Sequence, residues 1–244
     1  MKLSDNTVLV TGGGSGIGLA LARAFALHGS AVIVCGRDSN KLMAVQKENP
    51  AIVVVPCDIA DDKDQQRLVE HITQQYPNLN VLINNAGIQH NYDFSDSGDH
   101  TGRIDEEVAI NLVAHLKLID RFLPLLTKRP SAAIVNVTSA LALVPKQSAP
   151  VYCATKAAMH NFTKALRYQL EDTSVKVFEI IPALVDTEMT KGRGKGKITP
   201  EALTAEALRG IASDRYEIRI EKTKMLFALN RFLPAVAERI IRNG

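Results

Sequence analysis

The sequence predicts a doubly wound α/β fold, a parallel sheet of about seven strands flanked by helices. Three observations carry this expectation. Seven short runs rich in β-branched or aliphatic residues recur along the chain, and their near-continuous hydrophobicity describes strands buried on both faces. They alternate with segments whose apolar residues return every three or four positions, which implies right-handed crossovers between parallel strands. No composition shift or long linker divides the 244 residues, of which 46% are hydrophobic, so one domain spanning 1–244 is the simplest account.

The strands are expected at 7–10, 31–35, 52–56, 81–84, 132–137, 175–181 and 217–220, and the helices at 16–28, 61–76, 103–127, 151–172 and 224–242. Between the sixth strand and the last helix lies 191–197, where glycine alternates with Lys191, Arg193, Lys195 and Lys197. Neither helix nor strand is favoured there, and the segment reads as a mobile loop. It is either a lid over an anionic or strongly polar substrate or a solvated loop with no partner.

The first strand runs directly into Thr11-Gly12-Gly13-Gly14-Ser15-Gly16-Ile17-Gly18, and the residues that follow open a helix. This is the setting of a phosphate-binding turn. Glycine lets the backbone approach a pyrophosphate closely, and the helix N-terminus offers unpaired N–H groups with a partial positive charge. An ordinary tight turn can look the same, but the strand–turn–helix context favours the cofactor reading. The second strand ends Cys35-Gly36-Arg37-Asp38. An acidic residue at that strand end binds the ribose hydroxyls of NAD, whereas Gly36 and Arg37 leave space and a guanidinium for a 2′-phosphate, so NADP(H) is expected over NAD(H). The alternative is that Arg37 is a solvated loop charge. Ser15 would add a hydroxyl to the same phosphate.

Asp58, with Ile59 beside it, ends the third strand, either to accept from the adenine amine or to cap the next helix. The fourth strand ends Asn84-Asn85-Ala86-Gly87, small enough for backbone to pass beneath a cofactor, with asparagines able to tie neighbouring strands. Ser139 ends the fifth strand. Tyr152 and Lys156 then stand four residues apart on one helical face. A free tyrosine titrates near 10, but a cation ~4 Å away at an effective dielectric of ~20 is worth about 4 kcal/mol, enough to bring it to roughly 7. The pair alone is common on surface helices and becomes informative only in company.

Taken together these motifs resemble the short-chain dehydrogenases/reductases, from the first strand to at least Thr187. Gly12, Gly16 and Gly18 match the family's cofactor turn, 84–87 its Asn-Asn-Ala-Gly segment, and Asn111, Ser139, Tyr152 and Lys156 its tetrad. Residues 151–185 and 222–226 are also similar to the DltE-like oxidoreductases. The resemblance implies a Rossmann-type sheet in the order 3-2-1-4-5-6-7 and hydride transfer between nicotinamide and a small-molecule carbonyl or alcohol. It implies that Ser139 bonds the substrate oxygen, Tyr152 protonates it, Lys156 holds the ribose while lowering the tyrosine pKa, and Asn111 binds a proton-relaying water. Pro182-Ala183-Leu184-Val185-Asp186-Thr187 corresponds to the family's carboxamide-holding segment, with Ala183 replacing its usual glycine; Pro182, Val185 and Thr187 stay in place. It further implies a homodimer or homotetramer through helices 103–127 and 151–172, whose surplus apolar residues include Leu116, Phe122, Phe162 and Leu166.

Other classes fit less well. Lys and Arg exceed Asp and Glu by 29 − 26 = 3, interspersed along the chain, so no nucleic-acid partner is indicated. No apolar run approaches the ~20 residues that span a bilayer, and the first strand leaves no room for a secretion signal, so a cytoplasmic protein without a membrane partner is expected. Cys35, Cys57 and Cys153 have no metal-ligand spacing and read as reduced thiols. An idle cofactor-binding sensor or scaffold would be expected to have lost Tyr152 or Lys156. A hydrolase using Ser139 has no histidine placed by any motif as its base. The substrate pocket, expected from 89–101, 141–150 and the loop after Thr187, carries no recognisable code.

Overall fold

The computed structural model describes residues 1–192 and 194–242. Strands and helices alternate: β1 (Thr7–Thr11), α1 (Gly16–Leu27), β2 (Ala31–Gly36), α2 (Ser39–Glu48), β3 (Ile52–Pro56), α3 (Asp62–Gln75), β4 (Val81–Asn84) and α4 (Thr101–Val108). There follow α5 (Ala114–Leu126), β5 (Ala132–Val137), α6 (Pro150–Gln169), β6 (Val175–Ile181), α7 (Pro200–Ala212), β7 (Glu217–Arg219), α8 (Lys222–Phe232) and α9 (Pro234–Ile241). All strand pairs are parallel, and the order is β3-β2-β1-β4-β5-β6-β7, the doubly wound Rossmann-type arrangement.

Alternate residues of each strand feed two cores. Val8, Val34, Val135 and Phe178 pack with α1, α2 and α7 on one face. Leu9, Ile33, Ile134 and Val177 pack with α3, α5 and α6 on the other. A buried polar ladder crosses the second face: Asn84 Nδ2 donates to Asn136 Oδ1 at 2.9 Å, and Asn136 Nδ2 to Thr163 Oγ1 at 2.9 Å. It ties β4, β5 and α6 in one register.

Four elements differ from the sequence-based expectation. Helix α2 is additional, begun where Asp38 accepts from the N–H groups of Asn40 and Lys41 at 3.0 and 3.1 Å. Helix α7 is also additional, begun where Thr199 Oγ1 accepts from Ala202 N at 3.1 Å with Pro200 in the first turn. The expected helix 103–127 is interrupted by a π-helical turn at Ala109–Val113. The expected helix 224–242 breaks between Phe232 and Pro234, because proline has no N–H to continue the ladder and holds Leu233 away from helical dihedrals (φ −139, ψ 63). Phe122 and Leu166, counted as surplus apolar residues, are buried within this chain, whereas Leu116 and Phe162 remain partly exposed.

Candidate functional site

The parallel sheet brings the carboxyl ends of its strands to one edge, and there a cleft of about 940 Å³ opens. Of the residues expected to carry the chemistry or hold the cofactor, all line it except Gly18, Asn84 and Asn111. Among the described residues no helix is long and apolar enough to cross a membrane.

The floor is the turn between β1 and α1. Gly12 has φ +65, and a Cβ there would stand 2.9 Å from Ala86 Cα; a Cβ at Gly18 would stand 2.4 Å from Asn85 Nδ2 and from Gly12 O. The glycines therefore let two loops close on one another. Asn85 fastens them, its Nδ2 donating to Thr11 O at 3.0 Å, while Thr11 Oγ1 accepts from the N–H groups of Asn85 and Ala86 at 2.9 and 3.1 Å. Ser15 is the N-cap of α1 but makes no capping bond through its side chain, and the first turn holds no acidic residue. Unpaired N–H groups and a free hydroxyl thus face the cleft.

At the end of β2, Arg37 is half-exposed, its Nη1 standing 3.6 Å from Glu106 Oε1 and 4.0 Å from Asp58 Oδ2. Neither separation is a hydrogen bond, so the guanidinium keeps its donors. The neighbouring acid, Asp38, is committed to capping α2. Lys41 Nζ bonds Glu188, which raises the lysine pKa. Asp58 does not cap α3: Asp61 does so, accepting from Asp64 N at 2.8 Å, while Asp58 Oδ1 accepts from Ala60 N at 3.0 Å.

Tyr152 and Lys156 sit near the start of α6. Lys156 Nζ lies 5.6 Å from the Tyr152 ring centroid and donates to Val137 O at 3.0 Å. Burial pushes its pKa down to about 8, against a partial upward pull from the Glu179 charge. Ser139 stands at the end of β5, where its Oγ accepts from Leu141 N at 3.1 Å and keeps its own proton to donate. Asn111 is buried in the π-helical turn. Its Oδ1 accepts from Ile88 N and its Nδ2 donates to Ile88 O, both at 2.8 Å, with Thr155 Oγ1 at 3.3 Å. The reciprocal pair anchors that turn to the loop after β4. A Cβ at Gly87 would lie 3.2 Å from Asn111 Oδ1 and 3.7 Å from Lys156 Nζ, so all three border one small space. One turn on, His115 Nε2 donates to Ala86 O at 2.8 Å; burial lowers its pKa to about 4 and keeps it neutral.

Pro182, Val185 and Thr187 follow β6 along the rim, where Val185 pairs with Ile198. Part of the 191–197 segment is held: Lys197 Nζ donates to Thr190 O at 2.6 Å and reaches Asp186 Oδ1 at 3.3 Å, while Gly194, Lys195 and Gly196 line the cleft. Arg193 lies outside the described residues. The remaining wall was missed by sequence reasoning. Of 89–101 only Gln89 reaches the cleft, and of 141–150 only Leu141 and Lys146; α8 and α9 supply Met225, Leu226, Leu229, Ile240 and Ile241. The local signal was Pro234, which folds the C-terminal segment into two short helices able to turn over the opening. Cys35, Cys57 and Cys153 are free and buried, and burial pushes each thiol pKa up, that of Cys57 to about 12.

Residues 6–198 match the family model described as short chain dehydrogenase. The chain is 43% identical over 232 residues to an uncharacterized oxidoreductase, DltE, of Bacillus subtilis, covering 93% of this chain and 92% of that one. It is 29% identical to an uncharacterized oxidoreductase of Staphylococcus aureus, covering 88% and 94%. Among solved structures, a short chain dehydrogenase from Burkholderia cenocepacia in complex with NADP superposes with a TM-score of 0.88 at 24% identity, covering all of both chains. One from Burkholderia phymatum in complex with NAD gives 0.86 at 20%, covering 100% of this chain and 97% of that one.

Proposed function

Because this chain belongs to the short-chain dehydrogenase family, we propose that it is an NADP(H)-dependent oxidoreductase interconverting a small-molecule carbonyl and its alcohol through Ser139, Tyr152, Lys156 and Asn111. The observation that carries the reading is the Tyr152–Lys156 pair, one helical turn apart at the cleft, with the lysine buried and its charge 5.6 Å from the phenol ring.

The residues fit a dinucleotide. Gly12 and Gly18 leave a cradle that a Cβ would fill, and the α1 N-terminus and the Ser15 hydroxyl suit a pyrophosphate. Arg37, with Asp38 removed from contention by its capping bonds, favours the 2′-phosphate of NADP(H) over NAD(H). Gly14, Gly16 and Ile17 would border the pyrophosphate, Asp58 and Ile59 the adenine, Asn84 to Gly87 the ribose side, and Pro182, Val185 and Thr187 the carboxamide. When bound, nicotinamide supplies or accepts the hydride. In reduction, Ser139 Oγ–H donates to the substrate oxygen, and Tyr152 Oη transfers its proton to that oxygen. The Lys156 ammonium stabilises the phenolate left behind. Water in the space bordered by Gly87, Asn111 and Lys156 would return the proton; oxidation reverses each step. A cytoplasmic homodimer or homotetramer, joined through α5 and α6, completes the reading.

Substituting Tyr152→Phe removes the proton donor and keeps the ring. Turnover of NADPH with aldehydes, ketones, quinones and sugar-derived carbonyls is expected to vanish, while NADPH binding by calorimetry stays within a few-fold of wild type. Undiminished kcat in that variant sinks the assignment.

A further inference from the structure

The sixth strand holds a charge that the fold does not require. Val175 and Val177 face α6, so by the two-residue period Glu179 faces α6 as well, and it is fully buried. Its carboxylate accepts from Thr138 Oγ1 at 2.6 Å and contacts His160 Nδ1 at 2.9 Å through both oxygens. A neutral imidazole protonated at Nδ1 is donor enough, so this contact needs no charged histidine. Each partner adjoins the catalytic group. Thr138 lies between Val137, whose carbonyl receives Lys156 Nζ, and Ser139; His160 lies one turn beyond Lys156 on the same face of α6.

We propose that Glu179 is the buried counter-charge of Lys156, and so a positioning residue that governs proton release from the Tyr152–Lys156 pair. The inference rests on the oxidoreductase reading for its purpose, but not for its physics. Lys156 is buried and makes no ion pair among the described residues, and the carboxylate whose charge reaches it is that of Glu179. The other titratable groups around this pocket do not replace it. His115 on α5 is neutral, Glu217 on β7 is paired with Arg219, and Lys164 and Arg167 on α6 are cations, Arg167 spending its Nε on Val177 O. A negative charge beneath the pair favours the protonated form of both groups, so it holds the ammonium in place and sets how readily Tyr152 becomes phenolate.

The test needs no substrate. With five tyrosines and no tryptophan, tyrosinate absorbance can be followed against pH, and subtracting the Tyr152→Phe titration isolates Tyr152. Glu179→Gln is expected to move that titration to lower pH by about one unit, with the alkaline limb of kcat moving alongside. Glu179→Asp, which keeps the charge, stays near wild type. Thr138→Val, which keeps the charge but removes the hydroxyl dipole that compensates it, moves the titration to higher pH by less, and it decides the matter if Glu179→Gln does not fold. An unmoved titration in Glu179→Gln, or in Thr138→Val where that variant must decide, overturns the proposal. So does an Asp variant displaced as far as the Gln variant, since that marks packing rather than charge. A shifted titration in a protein that turns over no carbonyl supports the counter-charge while overturning the oxidoreductase reading.

Discussion

Lys156 brings an ammonium into a buried place beside the cleft, and the cost of doing so depends on pH. With a folded pKa near 8 against an unfolded value of 10.5, the lysine is charged in both states below pH 8 and penalises the fold in full. Between those values the folded protein releases a proton that the unfolded chain keeps, so stability recovers as pH rises. Lys156→Met is therefore expected to abolish turnover and to be more stable relative to wild type near pH 7 than near pH 10. The gap in unfolding free energy should narrow by up to about 3 kcal/mol across that range. Parallel urea-unfolding profiles across that range would show that burial does not strain the lysine. Arg37 poses the complementary case of an exposed charge whose value appears only with a ligand. Arg37→Ala is expected to weaken NADPH about tenfold or more while leaving NADH nearly unchanged, since a charge-assisted bond to a phosphate is worth roughly 1.5–3 kcal/mol. Calorimetric titration with both nucleotides measures the ratio, and a wild type that prefers NADH removes the assignment.

Elements with strong local signals were legible in the sequence. The glycine turn, the strand-end Arg37 and the Tyr152–Lys156 pair, each picked out from a few neighbouring residues, all lie at the cleft, and the seven strands announced themselves by apolar runs. Helix α2 has only Leu42 and Val45 at helical spacing and shows itself chiefly in its Asp38 cap, whereas α7 has both a Thr199-Pro200 start and apolar residues at helical spacing, Leu203, Ala207, Leu208 and Ile211, which the periodicity reading passed over. The π-helical turn gave no local signal, and its Asn111 meets Ile88 only in the folded chain. Glu179 was not singled out in the sequence, since its partners, at the end of β5 and on α6, meet it only in the folded sheet. The cap of α2 gives a direct test at this scale. Asp38→Ala is expected to destabilise the chain by about 1 kcal/mol in urea, whereas Asp38→Asn, which keeps an acceptor, costs little. Equal losses in the two variants would assign the effect to charge instead of capping.

At the scale of the molecule, α5 and α6 are the elements through which two copies are proposed to meet. The apolar surplus there is smaller than composition implied, since Phe122 and Leu166 serve this chain's own core. Leu116 and Phe162 are partly exposed, Val113 before α5 is 41% exposed, and Tyr168 is 69% exposed. A homodimer or homotetramer is expected by light scattering at micromolar concentration, and a monomer there counts against the four-helix interface. The cleft has a different kind of whole-molecule character. Its lining is drawn from Gly12 near one end of the sequence to Ile241 near the other, so the whole cleft belongs to the folded chain and not to any one segment of it. Whatever occupies it binds the native chain and not the unfolded one, and by mass action a ligand at a hundredfold excess over its Kd adds about 2.7 kcal/mol to the global unfolding free energy. Should the proposed nucleotide be that ligand, its pool would act as a thermodynamic reservoir for folding as well as a source of hydride.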